Sequence, residues 1–441
     1  MKRALPALAV VLVLWTVLLV QAEGSVFALV PLLDEVWYLD RAAELEGLAS
    51  PADKAHFMSP LYPVLMKLAG AGGGVPDDRV VPPVTLRSLR MLQITCWLGV
   101  AWLLRLAAGW WLPDDLPRRR WLVWLPTLLF ALYRPAAVYA LAVLVELPLL
   151  LLVTLAVALL VRGPATWWQV ALVGISLGLA GLLRGTALVL VPVAMVVSLA
   201  AGNRWGAVVV LLAAMVVLLP ASVHNSRLSG RPAGPTLNAG VNLVVGNGPE
   251  ANGFYVAVIP GDWREDPAGR GYLARQLGRH EISLATADSI WTARALAAAT
   301  DRPLVTAGLW LRKIWLHLQA WEIDQLTPLD GWRRTVPLLR IFVIPWALLV
   351  VLAVAGSVDL ARRRRAGWWI LPLATAALLA TQSVFFVVSR YRLALFPMLA
   401  LLAAVGAGAL LRRTRGVWIA ALLAVLLVVP WGLGPVQDQW Q

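Results

Sequence analysis

The sequence predicts an all-α polytopic membrane protein with about eleven transmembrane helices, and three observations predict it. Of the 441 residues, 60% are hydrophobic and 14% charged, against about 45–50% and about 25% in soluble domains. The apolar residues come in blocks of about 20, the length that spans a bilayer core. The basic residues, which give a net charge of +14, sit in short clusters between those blocks, as cytoplasmic loops do. That distribution accounts for the charge without a nucleic acid partner.

Taken in order, the spans run over 4–22, 86–108, 121–140, 143–161, 167–183, 185–201, 205–222, 336–357, 367–388, 393–411 and 416–434. The first block is too long for the apolar core of a signal peptide, so it reads as an uncleaved helix entering from a cytoplasmic Lys2-Arg3. With the N-terminus inside, Arg118 to Arg120, Arg162, Arg204, Arg362 to Arg365, and Arg412, Arg413 and Arg415 all fall on the cytoplasmic side. Two long polar intervals then face outward. The chain divides into an N-terminal transmembrane module (1–222) with a first outer, catalytic loop (23–85), an outer region (223–335), and C-terminal transmembrane helices (336–441).

Both outer intervals are rich in Gly and Pro and too long for simple hairpins, and long loops are where function concentrates. In the first, Leu33, Val36, Trp37, Leu39 and Ala43 follow a helical period. They predict a helix lying along the membrane surface. In HFMSPLYPVLMKLAG, Pro60 and Pro63 prevent a regular helix through 57–62. The second ends in VTAGLWLRKIWLHLQAWEID, where Trp310, Trp315 and Trp321 beside Arg312, Lys313 and His317 predict another interfacial helix.

Charge at the ends of spans carries the functional signal. On this threading Asp34, Glu35, Arg134, Glu146, Arg184, Arg390 and Arg392 come from across the chain yet share one membrane face. An arginine at a span end commonly snorkels to headgroups. An adjacent acidic pair at a lipid boundary has no such use. Tyr38 and Tyr62 suit interface anchors equally well. The outer compartment lacks nucleotide-activated substrates, so an activated group must arrive on a lipid. Its phosphate needs arginines, and the attacking hydroxyl or amine needs a carboxylate base. Asp34 and Glu35, the candidate catalytic pair, point about 100° apart on a helix. One faces the reacting centre, and the other binds a cation, holds an Arg or orients the acceptor. The single Cys96 and the four His, none at HxxH or HExxH spacing, exclude a thiolate or His-cluster metal site.

These residues resemble the GT-C superfamily of membrane glycosyltransferases, and more narrowly the bacterial relatives of dolichyl-phosphate-mannose–protein mannosyltransferases and of aminoarabinose transferases. The likeness runs through LLDEVWYLDRA, HFMSPLYPVLMKL with Ser59 in place of the family's first Pro, LRMLQI, Glu146, GLLRGTALVLVP, NAGVNLVVGNGPEANGFY and RYRLALFPMLALLA. It implies a GT-C-type bundle topped by interfacial helices, a polyprenyl-phosphate sugar donor entering from the bilayer, a lipid, glycan or protein acceptor, and an inverting transfer. Carried over, Asp34 is the base or the ligand of a divalent metal ion, Arg184 with Arg390 or Arg392 binds the donor phosphate, and Glu35 and Glu146 support. His56, beside SPLYP, is a phosphate or metal contact or a surface cap; Tyr62 and Arg134 complete the supporting set. The resemblance also implies a bacterial cytoplasmic membrane with the site on its outer face. The outer region is short for a separate domain, and no soluble domain is expected after the last span, which leaves the acceptor open. NAGVNLVVGN reads equally as a polar acceptor loop and as a turn-rich linker. The competing reading is a transporter or flippase of a lipid-linked or anionic substrate. Transporters place their charges at the midplane and often show repeats; here no repeat is evident and the charges sit at span ends.

Overall fold

Proline, glycine and arginine punctuate the apolar blocks, and the blocks fold as helices throughout. The computed structural model describes residues 5–429 apart from 164, 165, 262, 264 and 326. Among these there is no named strand, only an isolated bridge between Glu46 and Ala49. The principal helices are α1 (Leu5–Glu23), α2 (Asp34–Glu44), α3 (Leu61–Leu68), α4 (Pro83–Trp111), α5 (Glu146–Arg162), α6 (Trp167–Leu183), α7 (Leu190–Ala200), α8 (Arg204–Ser229), α9 (Ala239–Asn247), α10 (Leu284–Asp301), α11 (Pro303–Leu318), α12 (Trp346–Arg362), α13 (Ile370–Gln382), α14 (Phe396–Leu411) and α15 (Arg415–Val428). Lys2-Arg3, the end of the last expected span and the terminal GPVQDQWQ lie outside the described residues.

The protein is an integral membrane protein, and among the described residues fewer full-length spans are found than the eleven expected. Four described helical segments are long and apolar enough to cross a bilayer: Pro83–Trp111, Arg204–Ser229, Pro337–Arg362 and Ser389–Leu411. A fifth arises if Val11–Glu23 and Val26–Glu44, bent by 86°, count as one span. The remaining apolar blocks are helical but broken. The expected span at 121–140 folds as three pieces, Arg119–Leu122, Leu125–Ala131 and Arg134–Tyr139, the last two with Pro126 and Pro135 in their first turns. A proline cannot continue the hydrogen-bond ladder of the turn before it. The expected spans at 143–161 and 167–183 become the 17-residue α5 and α6, and 185–201 opens with the 3-10 turn Gly185–Val189.

α14 is buried almost end to end and forms the centre of the bundle. α12 packs along it, α6 along α8, and α4 along α5. Two of these contacts are built on glycine. A Cβ on Gly178 of α6 would lie 2.9 Å from the Ala214 carbonyl of α8, and one on Gly356 of α12 would lie 2.9 Å from the Gly406 nitrogen of α14. With Gly174 one turn earlier in α6, the first pair forms the small-residue stripe by which membrane helices approach closely. Leu212, Met215, Val216 and Leu219 of α8 and Ile419, Leu422 and Leu423 of α15 are exposed, the apolar exterior that lipid would cover.

Acidic and basic residues meet at one end of the bundle. Asp115 meets both Arg363, which also reaches Asp359 at 2.8 Å, and Arg412 at 3.4 Å. This gathers the ends of α4, α12 and α14. Trp346, at the opposite end of α12, lines a cavity together with Arg134.

Candidate active site

The helix expected from the period of Leu33, Val36, Trp37, Leu39 and Ala43 is α2, and its first residue is Asp34. Leu33, just before it, has φ 39°, a left-handed conformation that costs a leucine energy and that tends to persist where function requires it. The turn is held by Glu35. Its Oε2 accepts the Leu32 N–H at 2.9 Å and its Oε1 accepts the Val143 N–H at 2.9 Å. Glu35 therefore faces into the protein, fastening α2 to the 141–145 segment. That segment is fixed from the other side by Arg90, whose Nε donates to the Leu141 carbonyl at 3.0 Å. Asp34, about 100° away, faces a cavity.

That cavity holds about 470 Å³ and is lined by Asp34, Tyr38, Arg184, Arg390 and Tyr391 together with residues of α9 and its flanks, Asn238 and Asn242 among them. Asp34 Oδ2 accepts from Arg390 Nη1 at 2.6 Å, joining residues 356 positions apart. Arg184 Nη2 donates to Glu146 Oε1 at 2.6 Å, with the Glu146 side chain only 1% exposed. The Tyr391 ring lies beneath both guanidiniums, 4.6 Å from Arg184 and 5.4 Å from Arg390. Two cations are thus stacked on one aromatic plate, each held by one carboxylate. Arg184 Nη1 and Arg390 Nε are buried without a protein partner. Such donors suit an anion bound between them.

Local sequence explains the placements. Arg184 follows the last residue of α6, where the chain turns extended (φ −154°, ψ 116°) before the 3-10 turn. Arg390 and Tyr391 sit in the Ser389–Arg392 turn that opens into α14. The SPLYP segment reaches the cavity through Ser59. Ser59 Oγ accepts from Tyr62 N–H at 3.2 Å and donates to the Leu182 carbonyl at 2.8 Å, tying α3 to the end of α6 beside Arg184. Tyr62 is fully buried, edge-on to Tyr38 with ring centroids 4.9 Å apart, so it is packed inside the protein and is no surface anchor.

The other expected site residues lie elsewhere. Arg392 is fully buried and donates to the Trp321 and Leu316 carbonyls at 2.6 and 2.7 Å, on the far side of its turn from Arg390. His56 stacks against His224, centroids 4.7 Å apart, and its backbone N–H donates to Asn225 at 2.8 Å. Burial, then the neighbouring His224 and Arg41, push the His56 imidazole down to about 4. It is neutral at pH 7 and offers no charge to a phosphate. Arg134 lines a second cavity. Lys313 and His317, expected at headgroup level, are buried. Lys313 Nζ donates to the Gly246 carbonyl and Asn247 Oδ1, both at 3.0 Å, pinning α9 to α11; burial lowers it to about 8. Of the expected metal ligand, Asp34 is the only carboxylate lining the main cavity among the described residues, and Arg390 occupies it. No group of three His, Cys, Asp or Glu there lies close enough to hold an ion. The residues present do not make a cation site. Sequence reasoning missed Tyr391, although RYR showed it between the two arginines, and missed the acidic loop Glu322–Asp324.

Residues 53–228 match the family model of dolichyl-phosphate-mannose-protein mannosyltransferase. The match spans less than half of the 441 residues. It contains the SPLYP segment, Glu146 and Arg184, and leaves Asp34 and Arg390 outside. No curated protein matches the chain. Crystal structures of ArnT from Cupriavidus metallidurans, in the apo state and bound to undecaprenyl phosphate, are each 16% identical over 91% of this chain and 78% of theirs, with TM-scores of 0.37 and 0.38.

Proposed function

We propose that this protein is a membrane glycosyltransferase that moves a hexosyl or pentosyl group from a polyprenyl-phosphate donor to a lipid, glycan or protein acceptor. The reaction takes place at the outer face of a bacterial cytoplasmic membrane. The observation that carries this reading is the cavity in which one carboxylate, Asp34, and two guanidiniums, Arg184 and Arg390, converge from three distant parts of the chain. The family match over 53–228 supports it.

In the unliganded arrangement Asp34 neutralises Arg390. A donor phosphate entering between Arg184 and Arg390 takes over that role and releases the Asp34 carboxylate. The acceptor O–H or N–H then attacks the anomeric carbon. The bond from that carbon to the phosphate oxygen breaks, and the acceptor proton passes to Asp34. The electron pair leaves on the polyprenyl phosphate, whose charge the two guanidiniums already meet. Attack opposite the leaving phosphate inverts the anomeric centre. Glu146 and Tyr391 keep Arg184 in place, and Glu35 sets the rotation of α2. No step is routed through a metal ion.

The test is transfer of radiolabelled sugar from polyprenyl-phosphate donors by the purified protein in nanodiscs, with a membrane extract as acceptor source and Asp34→Asn as control. Label in a new product with the wild-type protein alone is the expected result. Full transfer by Asp34→Asn overturns the mechanism.

A further inference from the structure

Beside the first cavity lies a second, of about 660 Å³, and Gln325 lines both. Its polar lining has a consistent bias. Gln319, fully buried, commits its Nε2 to the Leu427 carbonyl at 2.8 Å, which leaves Oε1 without a partner. Glu322 accepts the Tyr133 hydroxyl at 3.0 Å through Oε1 and leaves Oε2 without a hydrogen bond. Asp324 accepts the Leu329 N–H at 2.9 Å through Oδ2 and leaves Oδ1 free. Gln325 Oε1 is also unpartnered. Gln319 and Asp324 are thus each fixed by one atom and leave the other unpartnered, Gln325 adds a third such oxygen, and Glu322 Oε2 faces Arg392 Nη1 at 3.6 Å, so three acceptor oxygens stand ready with little ordering still to be done. Buried acceptors left this way call for donors.

The rest of the wall is aromatic: Tyr133, Trp321, Phe342 and Trp346 line the same space. The formal charges there are largely answered by neighbours. Arg392 stands 3.6 Å from Glu322, and Arg333 stands 3.2 Å from Asp330. Burial raises Asp324 to about 7. Arg134 is the one guanidinium among the lining residues, against three carboxylates, so an anion is disfavoured. A peptide brings a carbonyl for nearly every N–H and would set oxygen against oxygen. A ring bearing several hydroxyls matches the lining on both counts: O–H groups for the free oxygens, and a C–H face for the aromatic rings.

We infer that the second cavity binds a neutral sugar ring of the acceptor, presented past Gln325 towards Asp34. This deepens the glycosyltransferase reading, and rests on it, by selecting a glycan from the three acceptor classes.

The experiment is saturation-transfer difference NMR on the full chain in detergent, with methyl hexosides as probes and glycerol 3-phosphate and a tripeptide as comparators. Hexoside ring protons receive saturation in the wild type. Asp324→Asn, which replaces a waiting acceptor by an amide, and Glu322→Gln, which removes the charge held between Tyr133 and Arg392 on the same wall, each weaken binding about tenfold. The half-exposed Gln325→Ala weakens it less and serves as the variant least able to disturb folding. Arg390→Gln, in the first cavity, leaves hexoside binding in place. No hexoside signal, a signal indifferent to all three second-cavity substitutions, or tighter binding of glycerol 3-phosphate or the tripeptide overturns the inference. Hexoside binding in a protein that transfers no sugar would overturn the transferase reading instead, which keeps the two failures apart.

Discussion

The two adjacent cavities use charge in opposite ways. In the first, two guanidiniums share the Tyr391 ring, each tied to a single carboxylate at 2.6 Å, with further N–H groups unspent. In the second, carboxylate and amide oxygens are unspent. One region waits for an anion and the other for hydrogen-bond donors, and Gln325 stands on the wall between them. Position alone would make both equally good pockets; the unsatisfied atoms tell them apart.

Substitutions that erase this contrast should have the largest effects. Asp34→Asn removes the base while keeping the shape, and transfer should fall by about 10²–10⁴-fold in the radiolabel assay with little change in melting temperature. Glu146→Leu leaves Arg184 without its carboxylate in a site where both are nearly buried. It should lower unfolding free energy by about 3 kcal/mol, read from denaturant melts in detergent, and reduce donor affinity with it. Arg390→Gln should weaken polyprenyl-phosphate binding about tenfold or more, while the corresponding change at Arg392, which serves the Trp321 and Leu316 carbonyls, should act on stability first. Equal losses of donor affinity at 390 and 392 would break the distinction between the cavity-facing Arg390 and the buried Arg392.

The smaller effects sharpen the comparison. Asp324 holds its proton to about pH 7 in the folded protein because burial penalises its charge, whereas an unfolded aspartate loses it near pH 4. Between these values the folded state binds more protons, so stability should decline as pH rises from about 4 to about 7. Asp324→Asn should flatten that slope in thermal melts across the window. Removing divalent cations with EDTA should leave transfer unchanged, since arginines meet the donor phosphate. A loss restored by Mg²⁺ or Mn²⁺ would place a cation on Asp34 after all.

The helical class and the membrane setting were legible because apolar block length is a composition signal. The count of spans was not, because Pro126 and Pro135 break an apolar stretch whose hydropathy is unaffected. In the site, Asp34, Arg184, Arg390 and Glu146 could be found as charges at span ends; the structure brings the first three to one cavity wall and buries Glu146 behind Arg184. Glu35 and Arg392 carry the same signal and serve the interior. What separates each from its neighbour is helical rotation, which a list of charged residues does not carry. The second cavity was illegible for a different reason. Gln319, Glu322 and Asp324 were read as the end of the interfacial helix, which in the structure stops at Leu318, and their meaning lies in which atom of each is already engaged.

The left-handed turn at Leu33 has a last consequence. It fixes where α2 begins, and so which of two neighbouring carboxylates looks outward. Exchanging the two residues, Asp34→Glu with Glu35→Asp, would preserve composition, charge and motif, yet put the longer side chain against Arg390 and leave the shorter one to span the gap to Val143. Function here is written in the phase of a helix, and a single residue inserted before Asp34 would shift that phase by more than a quarter of a turn.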